Sequence, residues 1–346
     1  MKSLDHDPQV IQLASELGLN WKENPVDQIT AYCVKKIAAW IKPFESAITI
    51  DGIQRIVCSK LGLVFEEFRS WQELEGIIEK YVSLGDRAFA ALRNDFSNPA
   101  IYATLMRRAN PDPRAHDQYV AIIDCRGMTE TRRSFSKWHE IAHLLTLQRQ
   151  LQFPYHRSTT KRDPTERLMD TIAGEIGFYA PLFEPLMRKQ IKRAKGLTFQ
   201  VVEEIRQQFC PNASFHSTLI ACAKLHRQPT ICLEAGMCLK NAEQAQLNSK
   251  QAELFAAKTP KAKLRILAAV PNAAARARKL GVHYHMSVPD DSVIDRTFQL
   301  VSGTDIQGRE NLGIWRHSDG TALQATAITI EARRVGDTVI GLLIAA

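Results

Sequence analysis

The chain has 346 residues, 45% of them hydrophobic, which is enough for one substantial core and a second smaller one and predicts two or three domains. No run approaches the ~18 consecutive apolar residues that span a bilayer, and the opening MKSLDHDPQ lacks the apolar stretch of a secretory signal, so a soluble cytoplasmic protein is expected. The net charge of +8 is only a mild bias toward anionic partners, and the seven scattered Cys, without CxxC spacing, fit reduced thiols and argue against a cysteine zinc cluster.

Residues 1–46 read as a helical N-terminal extension. Val10, Ile11, Leu13, Ala14 and Leu17 recur at helical spacing, as do Ile29, Cys33, Ile37, Ala38 and Ile41, with Pro25 between the two sets. A third helix is expected over Asp51 to Leu61, ending near Gly62, and a fourth over Trp71 to Val82. Ala100 to Arg107 and Gln118 to Cys125 are strand-like, with the loop signal Asn110-Pro-Asp-Pro between them. Either strand could form the edge that pairs with an extended peptide beside a catalytic cleft.

The next stretch, SFSKWHEIAHLLTL, contains His139-Glu140-Ile141-Ala142-His143. Two imidazoles at i and i+4 on a helix stack one turn apart on one face, as a zinc site requires, and Glu140 lies beside that face in the place of a general base. Phe135, Trp138, Ile141, Ala142, Leu144 and Leu145 mark the helix as buried, where polar ligands are costly unless they bind something. The polar loop 148–165 offers Tyr155 and His156 as candidate stabilisers of a tetrahedral oxyanion. Then Glu166-Arg-Leu-Met-Asp170 places two carboxylates on one helix face. Glu166 could complete a His2Glu zinc site, and Asp170 could orient a ligand imidazole by hydrogen bonding.

FSKWHEIAHLL followed by ERLMDTIAGEIGFYAP resembles the ImmA/IrrE family of zinc metallopeptidases. The positions that carry the resemblance are Phe135, His139, Glu140, His143, Glu166, Asp170, Ala173, Glu175 and Pro181. The chain departs from the family where the second motif helix ends: Ile-Gly-Phe-Tyr-Ala-Pro stands where Leu-Leu-Met-Pro is usual, two residues longer. The resemblance covers about residues 117–181. It implies a zincin-like (gluzincin-like) metallopeptidase domain, here over 47–196, and limited, regulated cleavage of a protein, often a DNA-binding repressor, in bacterial regulation.

Beyond Pro181, Leu182 to Lys195 reads as a basic helix whose charges complement its C-terminal dipole. Thr198 to Phe209 and Ser214 to Leu225 form a helix-turn-helix-like segment over 197–240, with Ser214 as an N-cap. Its second helix opens with His216, Ser217 and Thr218 and has no Arg, Asn or Gln there to read bases, so packing or protein docking is favoured over DNA binding. An Ala-, Gln- and Lys-rich composition over 241–280 suggests a helical linker. A β-rich C-terminal domain is expected over 281–346, with strands at His283 to Val288, Arg296 to Val301, Leu312 to His317, Ala325 to Arg333 and Thr338 to Ala345. His283 and His285 fall on one face of the first of these without a third ligand spacing.

The fold class is therefore α+β: a mostly helical zincin-like core with a small sheet, a helix-turn-helix-like segment and a C-terminal β-rich domain. The expected activity is that of a zinc-dependent endopeptidase with Zn2+ held by His139, His143 and Glu166, Glu140 as the catalytic base and a protein as substrate. The alternative is a regulatory binding protein with a structural or idle metal site that recognises DNA or a protein partner.

Overall fold

The computed structural model describes residues 4–44, 49–112, 117–127, 133–146, 155–158, 163–240, 243–244, 261–317 and 319–345, those at 155–158 by their backbone alone. The architecture is mixed α and β with two sheets. The chain divides into two compact units, one of residues 1–186 with 206–214 and one of residues 187–205 with 215–346.

In the first unit, α1 (Pro8–Glu16) starts at Asp7, whose carboxylate accepts from the Gln9 N–H, and α2 (Pro25–Ile41) buries Ile29, Cys33, Ile37 and Ile41, one residue per turn. A Thr49 N-cap opens α3 (Ile50–Leu61), and Gly62 closes it at φ +65°, a left-handed turn that favours glycine. Strand β1 (Leu63–Phe68) follows. Helix α4 (Trp71–Ser83) begins with the Ser70 hydroxyl accepting from Glu73 N–H, while the Glu73 carboxylate reaches back to the Arg69 N–H. The short α5 (Leu92–Asp95) leads into β2 (Ile101–Arg107) and β3 (Tyr119–Asp124).

Helix α6 (Arg133–Thr146) carries the HExxH residues, and α7 (Pro164–Gly177) carries Glu166 and Asp170. Between them lies a short strand that periodicity does not show, β4 (Tyr155–Ser158), so the expected uniform loop over 148–165 contains a strand in its described part. The sheet order is β1-β3-β2-β4, with β1 parallel to β3 and the other two pairings antiparallel. Both strands considered for the free edge, β2 and β3, are therefore interior. Among the described strands the edges are β1 and β4.

Every residue of β3 is buried, as expected for an interior strand covered on both faces. Val120 and Ile122 join Phe68, Leu74, Tyr81 and Phe89 on one side, and Ile123 joins Ala103 and Cys125 on the other. The N-terminal helices pack on the helices that bear the motif: α1 and α2 against α7, and α2 also against α6.

The first unit also buries an ionic cluster. Arg108 donates to Asp86 at 2.8 Å and to Asp117, and Asp86 also accepts from the backbone N–H groups of Ala109 and Asn110. Burial pushes the Asp86 carboxyl upward, but the Arg108 guanidinium and those N–H groups outweigh it and hold the carboxyl below its ordinary value.

After α8 (Ala180–Ala194), α9 (Phe199–Phe209) and α10 (Phe215–Leu225) come five antiparallel strands: β5 (Thr230–Cys238), β6 (Lys263–Pro271), β7 (Asp305–Asn311), β8 (Ala327–Val335) and β9 (Thr338–Ala345). They pair in the order β6-β5-β9-β8-β7. The sheet thus takes its first strand from upstream of Asn241, and the described part of the expected helical linker includes β6, helical residues at 243–244 and the five-residue helix Ala273–Ala277.

Three expected strands are corrected. Arg296 to Phe298 belongs to a helix, Val293–Phe298, capped by Ser292. Leu312–Ile314 is a 3-10 turn. His283 to Val288 is not a strand, although His285 N–H, Met286 C=O and Val288 N–H bond along β6 at Ile266 and Leu264. The alternation of apolar residues there reflects one-sided burial of an irregular segment rather than membership of the sheet.

Glycine lets the helix Val293–Phe298 lie directly on the sheet. A Cβ at Gly308 would stand 2.5 Å from Val293 Cγ2, and one at Gly341 would stand 2.8 Å from Ile294 Cδ1. Trp315, Ile330, Val339 and Leu343 fill the core beneath.

Candidate metal centre

The buried face of α6 turns His139, Glu140 and His143 inward, all three with no exposed surface. Helix α7 begins at Asp163, whose carboxylate accepts from Thr165 N–H, and this places Glu166 in the first turn and Asp170 one turn further on. The helices pack on each other, closely enough at Gly177 that a Cβ there would lie 2.9 Å from Trp138 Cδ1. Glu67 on β1 fixes α6 from outside: its carboxylate takes Arg133 at 3.1 Å and Lys137 at 2.5 Å, two cations one helical turn apart. The sequence offers no signal for that pairing, because 66 residues separate Glu67 from Arg133.

Donor atoms of three residues converge. His139 Nε2 and His143 Nε2 are 3.0 Å apart, Glu166 Oε2 is 3.3 Å from the first, and Glu166 Oε1 is 3.1 Å from the second. Ligands of a tetrahedral zinc at about 2.0–2.1 Å stand about 3.3 Å from one another, so these separations are in the range of a zinc coordination shell. These are the three residues among those described whose donor atoms group closely enough to hold a metal ion.

The hydrogen bonding also fits a cation. Asp170 Oδ1 lies 2.8 Å from His139 Nδ1, so the Nδ1–H donates to the carboxylate. That contact turns His139 Nε2 toward the Glu166 carboxylate. Burial pushes the His143 imidazole below its ordinary pKa, more strongly than the Glu166 carboxylate pulls it back, which favours the neutral, ligating form. Burial raises the Glu166 carboxyl, but hydrogen bonds and charge from His139 and His143 overcome this and hold it well below the usual carboxylate range. An anionic carboxylate between two imidazoles is a donor set suited to a divalent metal.

Tyr155 and His156 lie on β4, opposite Leu105 and Thr104 of β2, and their side chains are outside the described set. Asp170 is half-exposed, and it contacts His139 rather than joining the ligand trio. His283 and His285 do not come together as a metal site. His283 stacks on His317 at 5.3 Å, and His285, at φ +64°, stacks on Tyr284. Glu175 and Pro181, two of the resembling positions, fall late in α7 and early in α8, and the two extra residues of the departure are taken up at the break between these helices. A scan against protein-family models and a search of the curated proteins give no match to this chain.

Proposed function

We propose that the chain is a zinc-dependent endopeptidase. The observation that carries this reading is the convergence of His139, His143 and Glu166 with the buried carboxylate of Glu140 next to the first ligand. A structural zinc site uses four protein ligands, whereas hydrolytic sites use three and leave a position for water and substrate. A site of the first kind has no use for a carboxylate base beside it.

When bound, zinc supplies Lewis acidity that polarises the scissile carbonyl and makes water acidic enough to lose a proton near neutral pH. Glu140 would accept a proton from the attacking water and return it to the leaving amine. Asp170 holds His139 in the tautomer that ligates through Nε2. Helices α1 and α2 brace α7 from behind, so the Glu166 side of the site rests on packed apolar surface rather than on a loop.

The position of β4 at the end of the sheet order, among the described residues, supports an extended peptide as substrate, because an edge strand can be extended by strand addition. The resemblance to ImmA/IrrE peptidases supplies the substrate class: a regulatory protein, such as a DNA-binding repressor, cut at limited positions. For the helix pair α9 and α10, burial of Thr218, Leu219 and Cys222 and the packing of α10 on β5 and β6 support an internal packing role over base reading.

Induction of the wild-type protein beside a Glu140→Gln variant tests the proposal. One or more cellular proteins should lose full length only with the wild type. An unchanged set of full-length proteins, with zinc bound in both, would favour a binding role for the metal centre.

A further inference from the structure

The excess positive charge of this protein is not spread evenly. The unit that carries the metal centre has 24 basic and 24 acidic residues, whereas the other has 21 basic and 13 acidic. All of the net +8 therefore belongs to the unit built on the five-stranded sheet. Within it, two long stretches contain no Asp or Glu: residues 206–233, of which 215–233 belong to this unit, and residues 254–289.

The fold brings parts of these two stretches together at one end of the sheet, and Asn272 is the joint. Its Nδ2 donates to the carbonyls of His226 and Gln228 at 2.8 Å each, its Oδ1 accepts from Thr230 N–H, and its own N–H bonds to Thr230 C=O. Asn272 is buried, so this joint is fixed. Around it stand Lys224 and Arg227 from the end of α10, and Arg276, Arg278 and Lys279 from the helix Ala273–Ala277 and the turn that follows, all five exposed. The residues between the last three cations and the joint are alanines, and no exposed aromatic or large apolar side chain lies within 224–228 or 272–280.

We propose that this patch binds the phosphate backbone of duplex nucleic acid without reading its sequence. Five exposed cations carried on two segments that contain no Asp or Glu and are tied together at Asn272 suit a run of phosphates, and backbone contacts need no base-reading side chains. The absence of exposed rings in these segments disfavours single strands, which are held by stacking, and the absence of large apolar residues disfavours insertion into a membrane. These cations lie outside the opening turn of α10, whose Thr218 is buried, and belong to the unit that does not carry the metal ligands, so the inference does not depend on the protein being a peptidase.

The test is the salt dependence of binding of the full chain to a duplex DNA of arbitrary sequence. If the five cations each meet one phosphate, log K should fall with log salt at a slope of about −4.5. Lys224→Gln, Arg227→Gln and Lys279→Gln together should reduce the slope by about 2.7. A control triple on α8, Arg188→Gln, Lys189→Gln and Lys192→Gln, removes the same net charge from another exposed face of the same unit and should change the slope by less than about one. Thermal melting should show both triples folded. Equal losses in the two triples would show a diffuse charge effect and overturn the patch. Binding of poly-glutamate with no binding of DNA would replace nucleic acid by an acidic protein and likewise overturn it.

Discussion

His139 Nε2 and His143 Nε2 lie 3.0 Å apart with a carboxylate oxygen of Glu166 against each, an arrangement that a divalent cation completes. One zinc per chain is therefore expected by elemental analysis of the purified protein. His139→Ala, His143→Ala and Glu166→Ala should each lower that content while helical circular dichroism largely persists. Metal at a thousandfold excess over its dissociation constant adds about 4 kcal/mol of stability, so chelation should lower the melting temperature of the wild type and not that of the three variants. Full zinc content in Glu166→Ala would move the third ligand elsewhere.

Asp170 reaches the metal centre through the Nδ1–H of His139. Its replacement by Ala removes the acceptor that fixes the tautomer, and zinc affinity should fall by about 10- to 100-fold without vanishing. Competition with a chromophoric chelator measures this, and an unchanged affinity would leave Asp170 no part in holding the site.

Glu140→Gln keeps the shape of the side chain and removes its basicity. Zinc content should match the wild type, and peptide hydrolysis should fall by about 10²- to 10⁴-fold or more. Retained hydrolysis at full zinc occupancy would assign the proton transfer to another group.

Arg108 is buried between Asp86 and Asp117, and Arg108→Met would leave the buried Asp86 carboxylate and the partly exposed Asp117 carboxylate without their shared cation. Breaking a buried pair from one side costs about 3–5 kcal/mol, measurable by denaturant unfolding at neutral pH. The folded-state pKa of Asp86 is lowered, so its contribution is present above the unfolded carboxylate value near 3.9 and is lost as pH falls through the folded value. The stability gap between wild type and Arg108→Met should therefore narrow at the acid end of a titration. A gap independent of pH would trace the loss to packing alone.

A chain ending at residue 240 keeps β5 and removes both β6 and β9, its neighbours on either side. The apolar face of β5, with Ile231, Leu233 and Ala235, would then be uncovered on an unpaired strand. Such a truncation should aggregate on size-exclusion chromatography, where the full chain runs as a defined species. A soluble truncated chain with a cooperative melt would show that β5 is dispensable to the fold.

How much the sequence determined depends on how local the signal is. The HExxH spacing places two imidazoles and a carboxylate on one helix turn whatever surrounds them, and the five-residue span from Glu166 to Asp170 does the same for α7, because the helical repeat converts i, i+4 into a shared face. Helix α3 was legible from the sequence with its end near Gly62, as was α4 from Trp71, and the structure adds the caps at Thr49 and Ser70, which act within four residues. Strands are less local. A strand is stabilised by a partner that is distant in sequence, so β5 and β6, rich in Ala, Cys and Leu and lacking clean alternation, read as other structure until β9 and the segment at His285 are seen beside them. Arg296 to Phe298 shows the converse: the residues suit a strand, and Ser292 together with the space left by Gly308 makes them a helix. Only tertiary structure could bring Glu67 onto Arg133 and Lys137, Arg108 between Asp86 and Asp117, and Asn272 onto the carbonyls of His226 and Gln228, because each juxtaposition spans tens of residues and is set by which backbones pair, not by any spacing along the chain.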